Sequence, residues 1–160
     1  MKKIGIIGAM DEEVAGLKKE MNVTSSTTIA SMEFLEGTLL GKEVIVVRSG
    51  IGKVNAAVCA EILAGIFKAD AIINTGIAGS LNAKIDIGDI VISSDVLHHD
   101  MDATGFGYPL GQIPRMETFA FPADEAMAKA AKEACEKVNP DIKVFTGRVV
   151  TGDQFVASRE

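Results

Sequence analysis

An acidic cluster directly follows a glycine turn near the start of the chain. Asp11, Glu12 and Glu13 come after Gly8, at the end of an apolar run that begins at Ile4. A strand, a glycine turn and a helix start form a common frame for binding phosphate, because the first amides of a helix attract anions. Carboxylates in this turn would repel phosphate, which favours a neutral ligand or a bound water. Acidic residues also cap helices, and capping remains the alternative.

Glycine-containing loops follow several predicted strands. The loops are Gly8-Ala9-Met10, Ser49-Gly50-Ile51-Gly52, Thr75-Gly76-Ile77-Ala78-Gly79 and Thr151-Gly152-Asp153. Open α/β sheets bind ligands just outside the carboxyl ends of their strands, and small residues there let a ligand approach the backbone. Each loop alone would be an ordinary turn. The four together favour a small-molecule site.

The elements that position these loops alternate between predicted strands and helices, which is typical of an α/β protein. The segments 32–40 and 43–49 predict a hairpin around Gly41-Lys42. Further strands are predicted at 4–7, 71–74, 88–93 and 143–150. Helices are predicted from Val14, after Lys53 and from Asp124.

Two of these helices have apolar positions at helical spacing. The second helix carries Val54, Val58, Ile62 and Ile66, and it is apolar on most of its other faces. Such a helix is predicted to be buried, against either the sheet or a second subunit. The inner stripe of the third helix is predicted to be Met127, Ala131, Ala134 and Val138.

Composition restricts the function classes. The 160 residues are 48% hydrophobic and 5% aromatic, with 16 glycines, which suits one α/β domain with an aliphatic core. The formal net charge of -6 argues against a nucleic-acid or membrane-surface role. Cys59 and Cys135 lie far apart and are typical of reduced cytosolic thiols. These features favour a cytoplasmic protein that binds a small molecule.

His98 and His99 stand beside Asp100 and Asp102, which raises the question of a metal site. Adjacent histidines on a strand point in different directions, and no further ligand stands at a supporting spacing. No metal is therefore expected. The histidines open an irregular segment, 97–121, that is too apolar to be a linker and is long enough to be functional.

The motifs together resemble those of the bacterial 5'-methylthioadenosine/S-adenosylhomocysteine nucleosidases, in the purine nucleoside phosphorylase/hydrolase superfamily. The resembling segments are Gly5–Val14, Ser49–Ala57, Ile72–Gly79, Phe106–Tyr108, Gly111–Pro114 and Gly152–Phe155. The resemblance covers essentially the whole chain and corresponds to the N-terminal two thirds of the family. It implies a three-layer α/β/α fold with a central, mixed, barrel-like twisted sheet in a single domain, 1–160, whose C-terminal part is absent.

The resemblance also implies an activity, which is hydrolysis of the N-glycosidic bond to adenine in methylthioadenosine and S-adenosylhomocysteine, without cofactor or metal. On this analogy Glu13 orients and deprotonates the attacking water, while Asp11 and Glu12 remain candidates for capping. Phe155 would stack on the purine, or alternatively be an ordinary core residue. The backbone of Val156 would read the edge of the base.

Other positions match the family's nucleoside pocket. Ala78 and Gly79 match the loop that lies against the nucleoside, and Met10 and Ile51 would line its ribose and thioether side. The match also covers two residues that reach into the 5'-thio pocket of a partner subunit, Phe106 and Pro114. The resemblance therefore implies a homodimer. It also implies a part in methionine salvage.

Two departures from the family pattern stand out. Ile77 occupies a position where many relatives carry serine. Met116-Glu117 lies in the irregular segment and is not expected to act as the family's ribose-binding Met-Glu motif, which belongs beyond Glu160.

The family's general acid, an aspartate, also belongs beyond Glu160, so these 160 residues by themselves are expected to be nearly inactive. Three alternatives to this nucleosidase stay open. They are a nucleoside phosphorylase, a relative that acts on another adenine nucleoside, and a non-catalytic module that binds adenine nucleosides.

Overall fold

Residues 3–157 are described by the computed structural model, and the end of the chain at Glu160 lies outside the described residues. The described part contains three α-helices and eight strands in mixed sheets, which confirms the predicted α/β class. The chain divides into two compact units, Met1–Ala78 and Gly79–Glu160. That the two form one domain stays a prediction. None of the described helices has both the length and the apolar character needed to cross a membrane.

The N-terminal unit is built on a five-stranded sheet with strand order β2-β3-β4-β1-β5. Strand β1 pairs in parallel with β4 and with β5, whereas β3 pairs antiparallel with β2 and β4. A π-helical turn, Ile62–Ile66, extends the second helix. The elements are β1 Lys3–Gly8, α1 Asp11–Glu20, β2 Asn22–Ile29, β3 Met32–Leu39, β4 Lys42–Arg48, α2 Lys53–Glu61 and β5 Ala71–Asn74.

The hairpin of β3 and β4 is confirmed. Its turn residues, Leu40 and Gly41, have φ angles of 49° and 74°, as a two-residue turn that follows the twist of the strands requires. Strand β2 was not predicted. Its sequence, NVTSSTTI, lacks apolar alternation because all but its last residue is exposed at the edge of the sheet.

The core of this unit lies on both faces of β1 and β4. On one face Ile7, Phe34 and Ile45 pack with Leu63 from the π-helical turn. On the other face Ile6, Val44 and Val46 pack with Val14 of α1 and with Met21. Because both faces are covered, the two central strands are continuous apolar runs.

Only part of α2 packs against the sheet, and burial of the rest against a second subunit stays a prediction. Cys59 is buried on the helix, together with Ile62 and Leu63 that follow it. Val54 and Val58 are exposed, and Val54 keeps 74% of its surface accessible. An apolar helix has no polar face to mark its orientation, so the packing against β1 selects one side. The other side is left as an exposed apolar face.

The C-terminal unit has a three-stranded sheet with order β7-β6-β8. Strand β6 pairs in parallel with β8 and antiparallel with the short β7. Helix α3 begins after Asp124, whose Oδ1 accepts a hydrogen bond from the Met127 N–H at 2.8 Å, as its N-cap position predicts. The elements are β6 Ile90–His98, β7 Phe121–Pro122, α3 Glu125–Val138 and β8 Val144–Thr151.

The inner stripe predicted for α3 is only partly correct. Met127 is half-buried, as is Cys135, which was not in the stripe. Ala131, Ala134 and Val138 are exposed. Alanine carries little orientational signal, because it is compatible with either side of a helix, so the sequence pattern did not identify the packed side.

Candidate active site

The carboxyl ends of three parallel strands meet at one edge of the N-terminal unit. Strand β1 ends at Gly8, between the ends of β4 and β5. The Ser49 N–H donates to the Gly8 carbonyl at 2.9 Å, and the Thr75 N–H donates to the Ile7 carbonyl at the same distance. The structure therefore brings three of the four predicted glycine loops to this edge, the place where open α/β sheets bind ligands.

Glu13 is held at this edge by backbone amides from two loops. Its Oε2 accepts hydrogen bonds from the Ala9 N–H at 2.6 Å and the Met10 N–H at 3.0 Å. Its Oε1 accepts from the Ile77 N–H at 3.0 Å, across 64 positions of sequence. The half-buried carboxylate thus fastens the turn after β1 to the loop after β5.

The capping assignment needs a correction. Met10 is the N-cap of α1, and Glu13 is the residue whose side chain reaches back to the N-cap amide. Asp11 and Glu12, the predicted candidates for capping, lie exposed in the first turn. Glu13 therefore performs the capping that was considered as the alternative to a catalytic role. The two roles are compatible, because capping fixes the carboxylate in place.

One oxygen of Glu13 keeps the capacity to hold a water. An ionised carboxylate offers about four acceptor positions, two on each oxygen. The amides of Ala9 and Met10 use both positions on Oε2, whereas Oε1 receives only the Ile77 amide within the described residues. Glu13 can therefore accept an O–H donor through Oε1 without losing the bonds that orient it.

Gly8 and Gly76 are glycines because neighbouring side chains lie too close to their backbone to leave room for a Cβ atom. A Cβ atom on Gly76 would lie 2.6 Å from Glu13 Oε1, and one on Gly8 would lie 2.7 Å from Val14 Cγ1 and 3.0 Å from Glu13 Cβ. Side-chain carbon atoms do not approach so closely. Glycine at both positions is therefore a condition for placing the carboxylate between the loops.

The second loop is shaped by the side chains of Ser49 and Asn55, which were not predicted to be site residues. Ser49 is buried, and its hydroxyl donates to the Gly50 carbonyl at 2.9 Å. Asn55 donates through Nδ2 to the Ile51 carbonyl at 2.7 Å. The signal that could have found Asn55 is its polar amide at the start of an otherwise apolar helix.

Arg48 ends β4 and pairs with the first acid of the turn. Its Nε lies 3.1 Å from Asp11 Oδ1, and both side chains are largely exposed. An exposed pair of this kind contributes at most about 1 kcal/mol to stability. The pair matters for the electrostatics of the edge, because the positive charge of Arg48 is balanced by the Asp11 carboxylate.

The other predicted pocket residues of this unit lie on the same loops. Met10 is half-buried at the start of α1, and Ala78 is exposed at the end of the unit. Ile51 and Ile77 are exposed, large and apolar. This edge therefore combines a fixed carboxylate with accessible apolar side chains. Gly79, predicted to contact the nucleoside with Ala78, is the next residue in the chain.

The fourth glycine loop lies in the C-terminal unit and follows β8. It continues into Phe155 and Val156, which have no helix or strand around them. Phe155 is 96% exposed, so the alternative that it is an ordinary core residue receives no support. An exposed aromatic ring on a loop is available to stack on a planar ligand.

The irregular segment after β6 is held together by one glutamine. Gln112 is buried, and its Nε2 donates to the carbonyls of Ile113, Met116 and Thr118 at 3.1, 2.7 and 3.3 Å. Half-buried Pro114 lies within the stretch that these bonds close. Phe106, in a short 3-10 turn at Thr104–Phe106, is exposed.

The pKa shifts of Cys59 and Asp102, which both lie outside the N-terminal edge, have structural causes. Burial raises the pKa of the Cys59 thiol to about 11, which keeps it protonated and unreactive at neutral pH. Hydrogen bonds from Thr104 hold the pKa of Asp102 below its usual range. His98 Nδ1 is buried without a hydrogen-bond partner. Among residues 3–157, no three histidine, cysteine or acidic side chains are grouped as metal ligands would be.

Comparisons with known proteins found relatives that are named as nucleosidases. A family model described as the phosphorylase superfamily matches residues 3–160. A 5'-methylthioadenosine/S-adenosylhomocysteine nucleosidase from Shewanella sediminis is 50% identical over 154 residues, which are 96% of this chain and 66% of the relative. The nucleosidase from Shewanella loihica is 49% identical over 158 residues, 99% of this chain and 68% of the relative.

Solved structures agree with these relatives. The nucleosidase of Colwellia psychrerythraea, in complex with adenine, has a TM-score of 0.93 at 44% identity and covers 99% of this chain and 65% of its own. The enzyme of Neisseria meningitidis, in complex with methylthio-immucillin-A, has a TM-score of 0.94 at 39% identity, with coverage of 99% and 68%. The chain spans about two thirds of the length of the relatives that it matches.

Proposed function

Because the chain belongs to the phosphorylase superfamily and, within it, to the 5'-methylthioadenosine/S-adenosylhomocysteine nucleosidases, we propose that the intact protein hydrolyses the N-glycosidic bond of these two nucleosides. The products are adenine and the 5'-thioribose. The observation that carries the proposal is the carboxylate of Glu13, which three backbone amides hold at the carboxyl ends of parallel strands.

In the proposed reaction Glu13 handles the water. Oε1 accepts one O–H of the water, and its negative charge stabilises the positive charge that develops at C1' as the bond to adenine breaks. The water oxygen bonds to C1' while its proton passes to Glu13. Adenine leaves with the electron pair of the broken bond and takes a proton from a general acid. Resemblance to the family supports an aspartate as that acid.

The remaining pocket residues follow the same proposal. Met10, Ile51, Ala78 and Gly79 contact the ribose and the thioether side of the nucleoside. Phe155 stacks on adenine, and the backbone of Val156 binds the edge of the base. The exposure of Phe155 and Ile51 supports contact with a ligand. That relatives were solved with adenine and with a methylthio-immucillin supports the same class of ligand.

A homodimer is part of the proposal. Phe106 and Pro114 would complete the 5'-thio pocket of the partner subunit, and the exposure of Phe106 supports this role. The exposed apolar side of α2, with Val54 and Val58, supports burial against a second copy. The proposed setting is cytoplasmic methionine salvage, and free Cys59 and Cys135 support a reducing compartment. The proposed reaction needs no cofactor or metal.

Hydrolysis is favoured over phosphorolysis by the charges at the edge. A phosphorylase needs cationic groups for its phosphate. Arg48, at the end of β4, pairs with Asp11 instead, and Glu13 places a further negative charge between the loops. A phosphate dianion would meet these carboxylates, whereas a neutral water would not.

The test is adenine release from methylthioadenosine by the purified intact protein, followed chromatographically with and without inorganic phosphate. We expect release that does not depend on phosphate. Glu13→Gln should lower kcat by at least about 10²-fold, because an amide is a poor base and its NH₂ group opposes the backbone donors. Glu12→Gln, at the exposed neighbouring position, is the matched control and should retain the rate.

Three results would contradict the proposal. Phosphate-dependent release of a sugar phosphate would identify a phosphorylase. Adenine binding without release would identify a non-catalytic binding module. Equal rates for Glu13→Gln and Glu12→Gln would remove Glu13 from the mechanism.

A further inference from the structure

The loops that follow β6 and β8 stay hydrogen-bonded to each other beyond the end of the sheet in the C-terminal unit. The two strands are parallel, with His98 opposite Thr151 at their carboxyl ends. One residue further on, the His99 N–H donates to the Thr151 carbonyl at 2.9 Å. The two chain segments therefore leave the sheet side by side.

Two consecutive side chains of the first loop contact the backbone of the second. Asp100 Oδ2 accepts a hydrogen bond from the Asp153 N–H at 2.9 Å. A Cβ atom on Gly152 would overlap His99 Nε2 and lie 2.8 Å from Asp100 Cγ. The φ angle of Gly152 is not in the left-handed region, so close approach, rather than turn geometry, accounts for this glycine.

We infer that Asp100, with His99 beside it, is a positioning residue for the adenine-binding segment at Phe155 and Val156. The inference rests on the proposed function, which assigns the base to that segment. Asp153, whose amide Asp100 holds, lies two positions before Phe155. Residues 152–157, the part of this segment that the structure describes, have no helix or strand, so an anchor at the start sets where the Phe155 ring and the Val156 backbone lie.

The chemistry of the anchor explains the choice of residue. A hydrogen bond to an ionised carboxylate is stronger than one between neutral groups. Here it restrains the backbone at Asp153, which is not part of a β-strand. Asp100 acts through the backbone of Asp153 and does not touch the base. Its loss should therefore weaken adenine binding more than it slows the chemical step.

The experiment measures adenine affinity by titration calorimetry, and KM and kcat for methylthioadenosine, on the intact protein. Asp100→Ala should weaken adenine binding about 10- to 100-fold, the loss expected for a hydrogen bond to a charged group. Asp100→Asn keeps an acceptor oxygen without the charge and should recover part of the affinity. Asp102→Ala is the matched control, because among the described residues that carboxylate bonds only to the N–H and hydroxyl of Thr104.

A second pair of variants changes the other partner of this contact, the loop that follows β8. Gly152→Ala should weaken adenine binding, because its methyl group overlaps the His99 ring. Adding His99→Ala should restore part of the affinity by removing that ring. Recovery in the double variant is a result that general destabilisation would not produce.

The outcomes separate this inference from the proposed function. If wild-type protein binds and releases adenine but Asp100→Ala and Asp102→Ala have equal adenine affinities, the positioning role alone is overturned. Failure of Asp100→Asn to recover affinity would also overturn it. Wild-type protein that neither binds nor releases adenine would refute the proposed function and the inference together.

Discussion

Replacement of Gly76 by alanine tests whether the loop after β5 controls the position of the Glu13 carboxylate. The added Cβ would lie 2.6 Å from Glu13 Oε1 and 3.0 Å from its Cδ. The first distance is about 0.8 Å shorter than the 3.4 Å at which ordinary van der Waals contact begins. Either the carboxylate or the loop must therefore move by a comparable amount.

The size of the effect follows from this displacement. Movement of the carboxylate away from Gly76 lengthens its bond to the Ile77 N–H, now 3.0 Å, and a hydrogen bond to a charged group contributes about 1.5–3 kcal/mol. A misplacement of about 1 Å at a reacting group can lower the rate about 10²-fold. We expect Gly76→Ala to lower kcat by roughly that factor. Adenine affinity should change much less, because the proposed base contacts are at Phe155 and Val156.

The assay is steady-state release of adenine from methylthioadenosine, with calorimetric binding of adenine and thermal unfolding measured in parallel. Gly16→Ala is the matched control, because a Cβ on that helical glycine meets nothing within 4 Å. It should keep the wild-type rate and raise stability by up to about 1 kcal/mol. A Gly76→Ala protein with wild-type kcat would refute the idea that this loop positions Glu13.

Three further predictions concern stability. Leu63→Ala should lower the free energy of unfolding by about 2–5 kcal/mol in chemical denaturation, because the side chain is fully buried on β1; a loss below about 1 kcal/mol would contradict its place in the core. The Arg148 guanidinium holds the pKa of Asp95 below its usual range, so this carboxylate stabilises the fold above its unfolded pKa and the contribution is lost as pH falls through the folded value. Asp95→Asn should therefore show a smaller loss of stability on acidification below about pH 4 than wild type, and an unchanged acid profile would argue against the pair. Gln112→Ala should speed hydrogen exchange across 113–118, because three carbonyls lose their shared donor, whereas unchanged exchange would show that the loop is held otherwise.

Local patterns correctly predicted where several elements begin or end. The apolar run after Ile4 and the glycine at position 8 indicate a strand that ends in a turn, and the structure has β1 ending there. Gly41 after an apolar segment indicates the hairpin, because that turn needs residues with positive φ. Asp124 indicates the start of α3 through its capping side chain. In each case the start or end of the element depends on residues that are close in sequence, so the local sequence pattern predicts it.

Patterns without an internal contrast did not identify which side of an element packs. The apolar helix α2 and the alanine-rich helix α3 have no polar stripe that identifies the outward side. Packing against the strands selected Cys59 rather than Val54 in α2, and Cys135 rather than Val138 in α3. The polar strand β2 was missed because its pairing with β3, and not its own composition, makes it a strand.

The sequence by itself determined that acids follow the first turn, that small residues follow the strands and that the chain resembles a nucleosidase. Only the tertiary structure decided which acid meets the other loop. The Glu13 side chain, from the third residue after the N-cap, reaches back to the N-cap amide, whereas the side chains of Asp11 and Glu12 are exposed. The Ile77 amide reaches the same carboxylate only because β1 and β5 are parallel neighbours, a pairing between segments more than 60 positions apart that local sequence does not contain.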